Sequence, residues 1–305
     1  MNVPARLGIF GLGLAVVFGA AMGAGRLTGP VGAETKASAA HGGMKESSGM
    51  EHGEAGHGGH GSMAPGGLLV SDRGYTLTTV PAATDTFAFR IVGPNGRAVT
   101  AFDPQHDKRM HLIVVRRDLS GFRHVHPTMD ADGTWRVASP LSGPGTYRAF
   151  ADFKPTGADP LTLGIDETVA GDAAPRPLPA PATTATVDGY TVTLTGTLVA
   201  GRSSRLDMTI SRDGRPVTDL QPYLAAYGHL VALRQGDLAY LHVHPDGEPG
   251  DGKTKPGPAI TFYAEAPSVG TYRLYLDFQH EGTVHTAEFT VTAGASDTTS
   301  GDHQH

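Results

Sequence analysis

One stretch of the chain, an apolar run that begins at a histidine and leads to a His-Val-His-Pro motif, occurs twice. The first copy spans residues 111–127 and the second spans residues 229–245, so the copies lie 118 positions apart. In both copies twelve residues separate the first histidine from the His-Val-His-Pro motif. Because a matched repeat of this length indicates one structural unit built twice, it predicts two tandem domains of the same fold.

Each copy has the pattern of a β-hairpin that carries three histidines on one face. An aliphatic run, at residues 112–115 and again at residues 230–233, precedes a polar turn and a second run that ends in His-x-His. This pattern is typical of two paired antiparallel strands. Side chains two positions apart share one face of a strand, so both histidines of the His-x-His pair point the same way.

Counting outward from a two-residue Gly-Asp turn in the second copy predicts that His229 lies opposite His244. The same count in the first copy predicts that His111 lies opposite His126. Opposed Cβ atoms in such a hairpin are about 5 Å apart and diagonal ones about 7–8 Å, so three imidazoles can converge on one metal ion. The candidate metal ligands are His111, His124 and His126 in the first copy and His229, His242 and His244 in the second. The alternative is a structural hairpin with solvated histidines, inherited together with its duplicate.

Length and composition limit the classes of protein to consider. A chain of 305 residues is long enough for two domains of about 100–150 residues, each with its own core. The absence of cysteine excludes disulfides, thiolate zinc sites and cysteine nucleophiles. A net charge of −6 without a basic cluster in the folded part argues against a nucleic-acid partner.

Residues 1–30 are predicted to be a signal peptide or a membrane anchor. Residues 7–25 carry no charge over 19 positions, close to the roughly 20 residues that span a bilayer. Small residues up to Ala33 also offer a cleavage site. We therefore expect an extracytoplasmic protein, anchored in the cell membrane by this segment as a transmembrane helix or, alternatively, secreted after cleavage near Ala33.

Residues 31–67 form a tract of Gly, Ala, Ser, His and Met without apolar periodicity. Such tracts are predicted to be disordered, and histidine-rich ones can collect metal loosely. Thioether and imidazole groups together favour copper, because methionine is a soft ligand for Cu(I) and imidazole also suits Cu(II) and zinc. A flexible spacer with incidental histidines remains the other interpretation. Residues 294–305 are predicted to be a disordered tail.

The remaining chain is predicted to be all-β, with two tandem immunoglobulin-like β-sandwich domains at residues 68–171 and 185–293. Short strand-like runs alternate with Gly, Pro, Asn and Asp turn signals, and no helical pattern occurs. Residues 172–184, rich in proline and alanine, read as an extended linker. Tyr147 and its counterpart Tyr272 each follow Gly-Thr, as expected of a tyrosine corner.

Several further residues are candidates to complete a coordination sphere. Asp152 and Asp277 each precede a phenylalanine at the end of a strand-like run, and their carboxylates could be fourth ligands or structural polar groups. The second domain adds His280 and His285, which have no counterpart in the first. Met110 stands directly before the first triad, where the second copy has glycine. Two metal sites built from these copies would therefore not be equivalent.

The run from Pro222 to Leu230, continued by the His-Val-His-Pro motif at residues 242–245, resembles a group of exported bacterial His-x-His-Pro β-domain proteins associated with copper and other metal handling. The likeness covers the two hairpins and their flanks, about a third of the chain. It implies an exported, metal-linked β-domain. The first domain departs from this run, with Pro104-Gln105-His106 at the matching position, which puts equal function of the two copies in doubt.

These features predict an exported protein that binds a transition metal, copper first and zinc second, for sequestration or for delivery to a membrane-bound or exported metal-handling protein. One alternative is a metal-free cell-surface β-sandwich that mediates protein contacts. Another is a copper or zinc metalloenzyme. No catalytic residue is predicted, because the chain has no nucleophile elbow and no phosphate-binding loop in its folded part. Two-domain copper monooxygenases look superficially similar, but they contain disulfides that a cysteine-free chain cannot form.

Overall fold

The computed structural model describes residues 64–241 and 243–295, and for His244 it describes the backbone alone. All of these described residues belong to one compact unit. The predicted N-terminal segment, nearly all of the His/Met tract and most of the tail lie outside the described residues, so what the sequence indicates for them stays a prediction. The described part of the chain holds no helix that is both long and apolar enough to span a bilayer.

The first domain is a sandwich of two antiparallel sheets. One sheet has the strand order β1-β2-β3-β8-β7 and the other has the order β10-β9-β5-β6, with β4 paired to β9. The ten strands are β1 Ser71–Asp72, β2 Tyr75–Thr79, β3 Thr86–Val92, β4 Phe102–Asp103, β5 His111–Arg116, β6 Arg123–Val125, β7 Thr128–Met129, β8 Thr134–Ala138, β9 Gly145–Pro155 and β10 Leu161–Val169.

The second domain repeats this plan. Its sheets have the orders β11-β12-β13-β18-β17, with β14 paired to β13, and β16-β15-β19-β20. The strands are β11 Thr184–Val187, β12 Tyr190–Thr195, β13 Ser203–Arg212, β14 Arg215–Pro216, β15 Gly228–Arg234, β16 Tyr240–Leu241, β17 Val243–Pro245, β18 Ala259–Glu265, β19 Gly270–His280 and β20 Thr283–Ala293. The prediction of an all-β chain with two tandem immunoglobulin-like sandwiches is thus confirmed.

Both predicted tyrosine corners are present. The Tyr147 hydroxyl donates to the Gly143 carbonyl at 3.0 Å, and the Tyr272 hydroxyl donates to the Ser268 carbonyl at 2.7 Å. Each tyrosine is fully buried. The hydrogen bond four residues upstream fastens the loop that leads into β9 or β19, the strand that neighbours the histidine hairpin in each domain.

The aliphatic runs of β5 and β15 are buried on both faces. Along β5, Leu112 and Val114 point into the core of the first domain, whereas Ile113 and Val115 point to the opposite side and meet the second domain. A continuous apolar run, rather than an alternating one, is what a strand covered on both faces requires. The outer face of each hairpin sheet is therefore an interface between the domains.

A cluster of nine buried apolar residues, here called the interdomain cluster, joins these two outer faces. Its members are Ile113, Val115, Leu119, Phe122 and Phe150 from the first domain and Val231, Leu233, Leu238 and Tyr275 from the second. The rings of Phe122 and Tyr275 stack with centroids 4.1 Å apart. The Tyr275 hydroxyl donates to the Leu119 carbonyl at 2.6 Å, so the buried tyrosine has a partner across the interface.

The register of the first hairpin is the predicted one. Leu112 pairs with Val125 in the β5–β6 ladder, and one further step along this ladder leads to His111 and His126. Strand β6 ends there, and the next strand, β7, belongs to the other sheet of the sandwich. The His-x-His pair thus lies where the chain passes from one sheet to the other.

The second hairpin corrects two details of the prediction. Its loop is longer than two residues, because the Leu238 amide bonds back to the Arg234 carbonyl with Leu238 in the left-handed region at φ 60°. In addition, the backbone of His244 lies in β17 and pairs with Tyr263 of β18, not with the strand that carries His229. The chain changes sheet here too, so simple hairpin counting does not extend past Leu241.

Candidate metal centre

Strand alternation directs the histidines of the first copy toward the second domain. His111 has the same parity on β5 as Ile113 and Val115, whose side chains enter the interdomain cluster. His124 pairs directly with Ile113 across the β5–β6 ladder, so it faces the same way. The candidate site therefore lies on the outer face of the hairpin, at the boundary between the two domains.

His111 is held by the turn that precedes it. Its Nε2 lies 2.9 Å from the Gln105 carbonyl oxygen. A carbonyl can only accept a hydrogen bond, so we infer that Nε2 carries the proton of the neutral ring. The lone pair is then on Nδ1, which points into the site.

The turn that supplies this carbonyl is built twice in the same strained form. His106 and Asp107 have φ values of 46° and 63°, and Leu224 and Ala225 have φ values of 54° and 61°. Two consecutive residues with positive φ make a type I′ turn, which normally contains glycine or asparagine. In the second domain the turn presents the Tyr223 carbonyl to His229 Nε2 at 2.9 Å. Since residues other than glycine are strained here, by about 1–3 kcal/mol each, we infer that the turn serves to aim these carbonyls.

His124 is held by the second domain. Its Nδ1 lies 2.9 Å from Oδ2 of Asp277, and these two side chains are only 5% and 4% exposed. An ionised carboxylate accepts and does not donate, so Nδ1 carries the proton of His124 and Nε2 bears the lone pair. The other carboxylate oxygen, Oδ1, accepts a hydrogen bond from the Thr286 hydroxyl at 2.6 Å.

These partners leave two bare nitrogens face to face. Nδ1 of His111 and Nε2 of His124 are 3.0 Å apart, yet the outer nitrogen of each ring already holds its proton. Two lone pairs at this distance repel each other unless a cation lies between them. A shared proton or a metal ion meets that requirement, and the carboxylate of Asp277 balances the added charge.

His126 adds a third nitrogen to the pair. Its Nε2 is buried and has no hydrogen-bond partner among the described residues, a condition that costs about 1–3 kcal/mol. The His126 ring centroid lies 5.0 Å from that of His111 and 4.8 Å from that of His124. One ring nitrogen from each of the three histidines lies within 4.8 Å of the other two. Small adjustments bring three such nitrogens to the roughly 2.0–2.1 Å at which imidazole binds zinc.

Burial keeps the rings of His111 and His126 neutral. Desolvation is the main cause that lowers the pKa of His111 to about 3, although the hydrogen bond to the Gln105 carbonyl acts in the opposite direction. Desolvation also lowers the pKa of His126 to about 3, helped by repulsion from His124 and His111. Metal ions bind the deprotonated nitrogen, so a ring that stays neutral well below pH 7 is ready to bind without proton competition.

His229, the first histidine of the second copy, lies beside this triad rather than in a separate site within its own domain. Its ring centroid is 6.3 Å from that of His124 and 5.3 Å from that of His106. Burial lowers the pKa of His229 to about 4. Since the outer faces of both hairpins meet, His229 lies next to the first triad at the domain boundary. His242 and the side chain of His244 lie outside the described residues, so the second triad stays a prediction.

A cavity of about 310 Å³ opens beside the triad. Its walls include His111, His124, His229 and Asp152. Burial raises the pKa of Asp152 to about 6, while a hydrogen bond from Thr162 acts in the opposite direction. The cavity thus places polar side chains beside two members of the triad, His111 and His124.

The other candidates raised by the sequence do not join the triad. Met110 is 1% exposed and packs in the core of the first domain, so its thioether is on the opposite side of β5 from His111. His280 bonds to Tyr190 at 2.7 Å and to Asp219 at 3.1 Å, and His285 bonds to an aspartate at 2.8 Å. Both histidines thus form hydrogen bonds with other residues of the second domain.

Two features of the site were missed by the sequence analysis. Asp277 was weighed as a ligand or a strand-end residue, whereas it binds a histidine of the other domain. His106 contributes a fifth imidazole, 6.3 Å from the His111 ring. The uninterrupted apolar runs of β5 and β15 were the available signal, because a strand buried on both faces must pack against a further layer.

Comparisons with known proteins add a family and a fold. A family described as domain of unknown function (DUF8832) matches residues 73–165 and 185–295. No curated protein matches the chain. Among solved structures, the adhesin InvE of Yersinia pseudotuberculosis is 14% identical over 77% of this chain and 61% of its own, with a TM-score of 0.22.

Domains 4 and 5 of the S-layer protein SbsC are 13% identical over 68% of this chain and 82% of their own, with a TM-score of 0.20. The FN1–FN3 domains of chicken CNTN1 are 10% identical over 75% of this chain and 65% of their own, with a TM-score of 0.20. The chain spans about three fifths of the length of InvE. Likeness at this level concerns the fold alone.

Proposed function

The chain belongs to the DUF8832 family of domains of unknown function, and we propose from its own residues that it binds a transition metal ion through His111, His124 and His126. The observation that carries the proposal is the 3.0 Å approach of His111 Nδ1 and His124 Nε2. Each nitrogen is left without a proton by the partner of the other ring nitrogen. An ion between them replaces the repulsion of two lone pairs with two coordinate bonds.

The buried, unpaired Nε2 of His126 supports the same proposal. Natural proteins seldom leave a buried polar atom without a partner, and such an atom calls for an explanation such as an ion. The hydrogen bond from His124 to Asp277 has the carboxylate–histidine geometry that surrounds metal ligands in other proteins. Three candidate ligands, the groups that orient His111 and His124, and an adjoining cavity support the proposal together.

Copper is the proposed ion and zinc is the second choice. The donor set consists of imidazole nitrogens, which suit both ions, and divalent copper binds such donors more tightly than zinc does. The described donor group consists of three imidazoles and contains no thiolate or thioether. Such a group matches Cu(II) and Zn(II).

The proposed role is sequestration of the ion or its delivery to another exported or membrane-bound protein. Support for export comes from the uncharged stretch of residues 7–25, and support for loose collection of metal comes from the His/Met tract of residues 31–67. The second triad, His229 with His242 and His244, is proposed as an adjoining site, because His229 lies next to His124.

A metal titration of the full chain tests this proposal. Affinities for Cu(II) and Zn(II) are measured by competition with a chelator for the wild type and for the double variant His111→Ala/His124→Ala. We expect the variant to lose at least one tight equivalent. His280→Gln is the matched control, because this buried histidine is bonded to Asp219 and lies outside the triad. If wild type and double variant bind the same number of tight equivalents, the proposal is wrong.

A further inference from the structure

We infer that Asp277, a carboxylate of the second domain, is the positioning residue of the metal centre in the first domain and biases it toward divalent ions. This inference rests on the proposed function. Both domains then contribute to the metal centre: the first domain supplies the ligands and the second supplies the charged group that orients one of them. The alternative is that Asp277 only helps to hold the domains together.

The position of Asp277 is fixed on both sides of its carboxylate. Oδ2 accepts from His124 Nδ1 at 2.9 Å, and Oδ1 accepts from the Thr286 hydroxyl at 2.6 Å. Thr286 is the direct partner of Asp277 in the β19–β20 ladder. With both oxygens engaged and the side chain 4% exposed, the carboxylate is oriented toward His124.

This orientation determines which nitrogen of His124 is available. A neutral imidazole holds one proton, and the carboxylate keeps that proton on Nδ1. Nε2 is therefore left bare at 3.0 Å from His111 Nδ1. Without the carboxylate, the proton has no preferred nitrogen and the ring loses the contact that sets its angle. Loss of such an orienting partner typically lowers metal affinity by about 10–100-fold.

The charge of Asp277 has a further effect that a purely structural group lacks. Coulomb attraction is proportional to the charge of the ion, and it is strong where the surroundings are buried. Neutralising the carboxylate therefore lowers the affinity for Cu(II) by about the square of the factor for Cu(I). Loss of orientation affects both ions alike, so only the loss that comes from charge differs between them. If the charge accounts for a fall of about 10–100-fold in Cu(II) binding, it lowers Cu(I) binding by about 3–10-fold. The preference for Cu(II) over Cu(I) then drops by a similar factor of about 3–10.

The interface offers a matched control on the same face of β19. The Tyr275 hydroxyl also crosses to the first domain, where it donates to the Leu119 carbonyl at 2.6 Å. Tyr275→Phe removes this interdomain hydrogen bond but keeps the ring that stacks on Phe122 and leaves the carboxylate intact. An effect of Asp277 that operated through domain docking alone would be reproduced by Tyr275→Phe.

The experiment measures affinities of the full chain for Cu(II) and Cu(I) in the wild type, Asp277→Asn and Tyr275→Phe. Thermal unfolding confirms that each variant is folded. Binding at the centre is read as the difference from the His111→Ala/His124→Ala double variant, so that metal held by other histidines cancels. The reduction potential of bound copper, at about 59 mV for each tenfold change in the affinity ratio, gives an independent readout.

We expect Asp277→Asn to lose about 10–100-fold in Cu(II) affinity and less in Cu(I) affinity. The reduction potential of its bound copper should therefore be raised. We expect Tyr275→Phe to retain the wild-type ratio of the two affinities. The inference is overturned if Asp277→Asn binds both ions like the wild type. It is equally overturned if both variants lose the same factor for both ions. A wild type that does not differ from the double variant refutes the proposed function itself.

Discussion

Replacement of His126 by leucine should stabilise the metal-free protein while weakening its response to metal. Nε2 of His126 is buried and has no partner in the part of the chain that the structure describes. Removal of such an atom in favour of an apolar group of similar size recovers about 1–3 kcal/mol. Burial lowers the pKa of His126 to about 3, so at pH 7 the native ring is neutral and the comparison involves no change of charge.

The stabilisation by metal differs in size between the two proteins. An ion present at 100 times its dissociation constant stabilises a protein that binds it by about 2.7 kcal/mol. The wild type gains this amount at the His111/His124/His126 centre, whereas His126→Leu, with one ligand of that centre removed, gains less. When metal is added, the stability of the wild type should therefore approach or exceed that of His126→Leu.

The assay is thermal unfolding of both proteins in EDTA and again with excess Zn(II). For a compact unit made of both domains, 1 kcal/mol corresponds to about 2–4 °C in Tm, so the shifts are well resolved. Trp135→Phe is the control, because the Trp135 Nε1 is also buried and unpaired but lies in the core of the first domain. Its Tm should rise with metal as much as that of the wild type. The reasoning is refuted if His126→Leu is less stable than the wild type in EDTA, or if it gains as much Tm from metal.

Three further predictions concern pH, backbone strain and the domain interface. Because the folded-state pKa of His111 and of His126 is lowered to about 3 from about 6.5 in the unfolded chain, their contribution to stability is complete above about pH 6.5 and is lost as pH falls toward 3. Urea unfolding at several pH values should show this decline in the metal-free wild type and a weaker one in His126→Leu; equal declines contradict it. Ala225→Gly should relieve a left-handed residue at φ 61° and stabilise by up to about 1 kcal/mol in urea, and a loss of stability would be the contrary result. Phe122→Ala, which removes the ring stacked 4.1 Å from Tyr275, should cost about 3–5 kcal/mol in urea unfolding, and a change under 1 kcal/mol would contradict a tightly packed interface.

Much of the fold could be predicted because its signals are local. Alternation of apolar and polar residues, turn residues at short intervals and the Gly-Thr-Tyr motif before each long strand depend on neighbours in sequence. Tyr147 and Tyr272 bond to carbonyls four residues upstream, a contact that spacing alone specifies. The same holds for the pairing of Leu112 with Val125 in the first hairpin.

The interdomain geometry could not be derived from such signals. The contact between His124 and Asp277 joins residues 153 positions apart, and no sequence period connects them. What the sequence does contain is a strand, β5, with five consecutive buried residues. That run requires a partner on each face, but it does not identify the partner as the other repeat.

The strained turns were hidden for a different reason. Positive φ values occur at His106-Asp107 and Leu224-Ala225, where the sequence has neither glycine nor asparagine. A search for these two turn residues therefore does not find the turns. Paired backbone hydrogen bonds between Gln105 and Lys108 hold the first turn in this conformation. In both turns a carbonyl also accepts a hydrogen bond from a histidine. Positions where local preference is overruled in this way are expected near functional sites.

Anomalous X-ray diffraction from crystals of the protein loaded with Cu(II) or Zn(II), recorded at the absorption edge of the metal, tests the central claim most directly. The account predicts a peak among His111, His124 and His126, about 2.0–2.1 Å from one ring nitrogen of each, with the hydrogen bond between His124 and Asp277 retained. Fully loaded crystals without a peak at this position, and with metal only at other histidines, would contradict it.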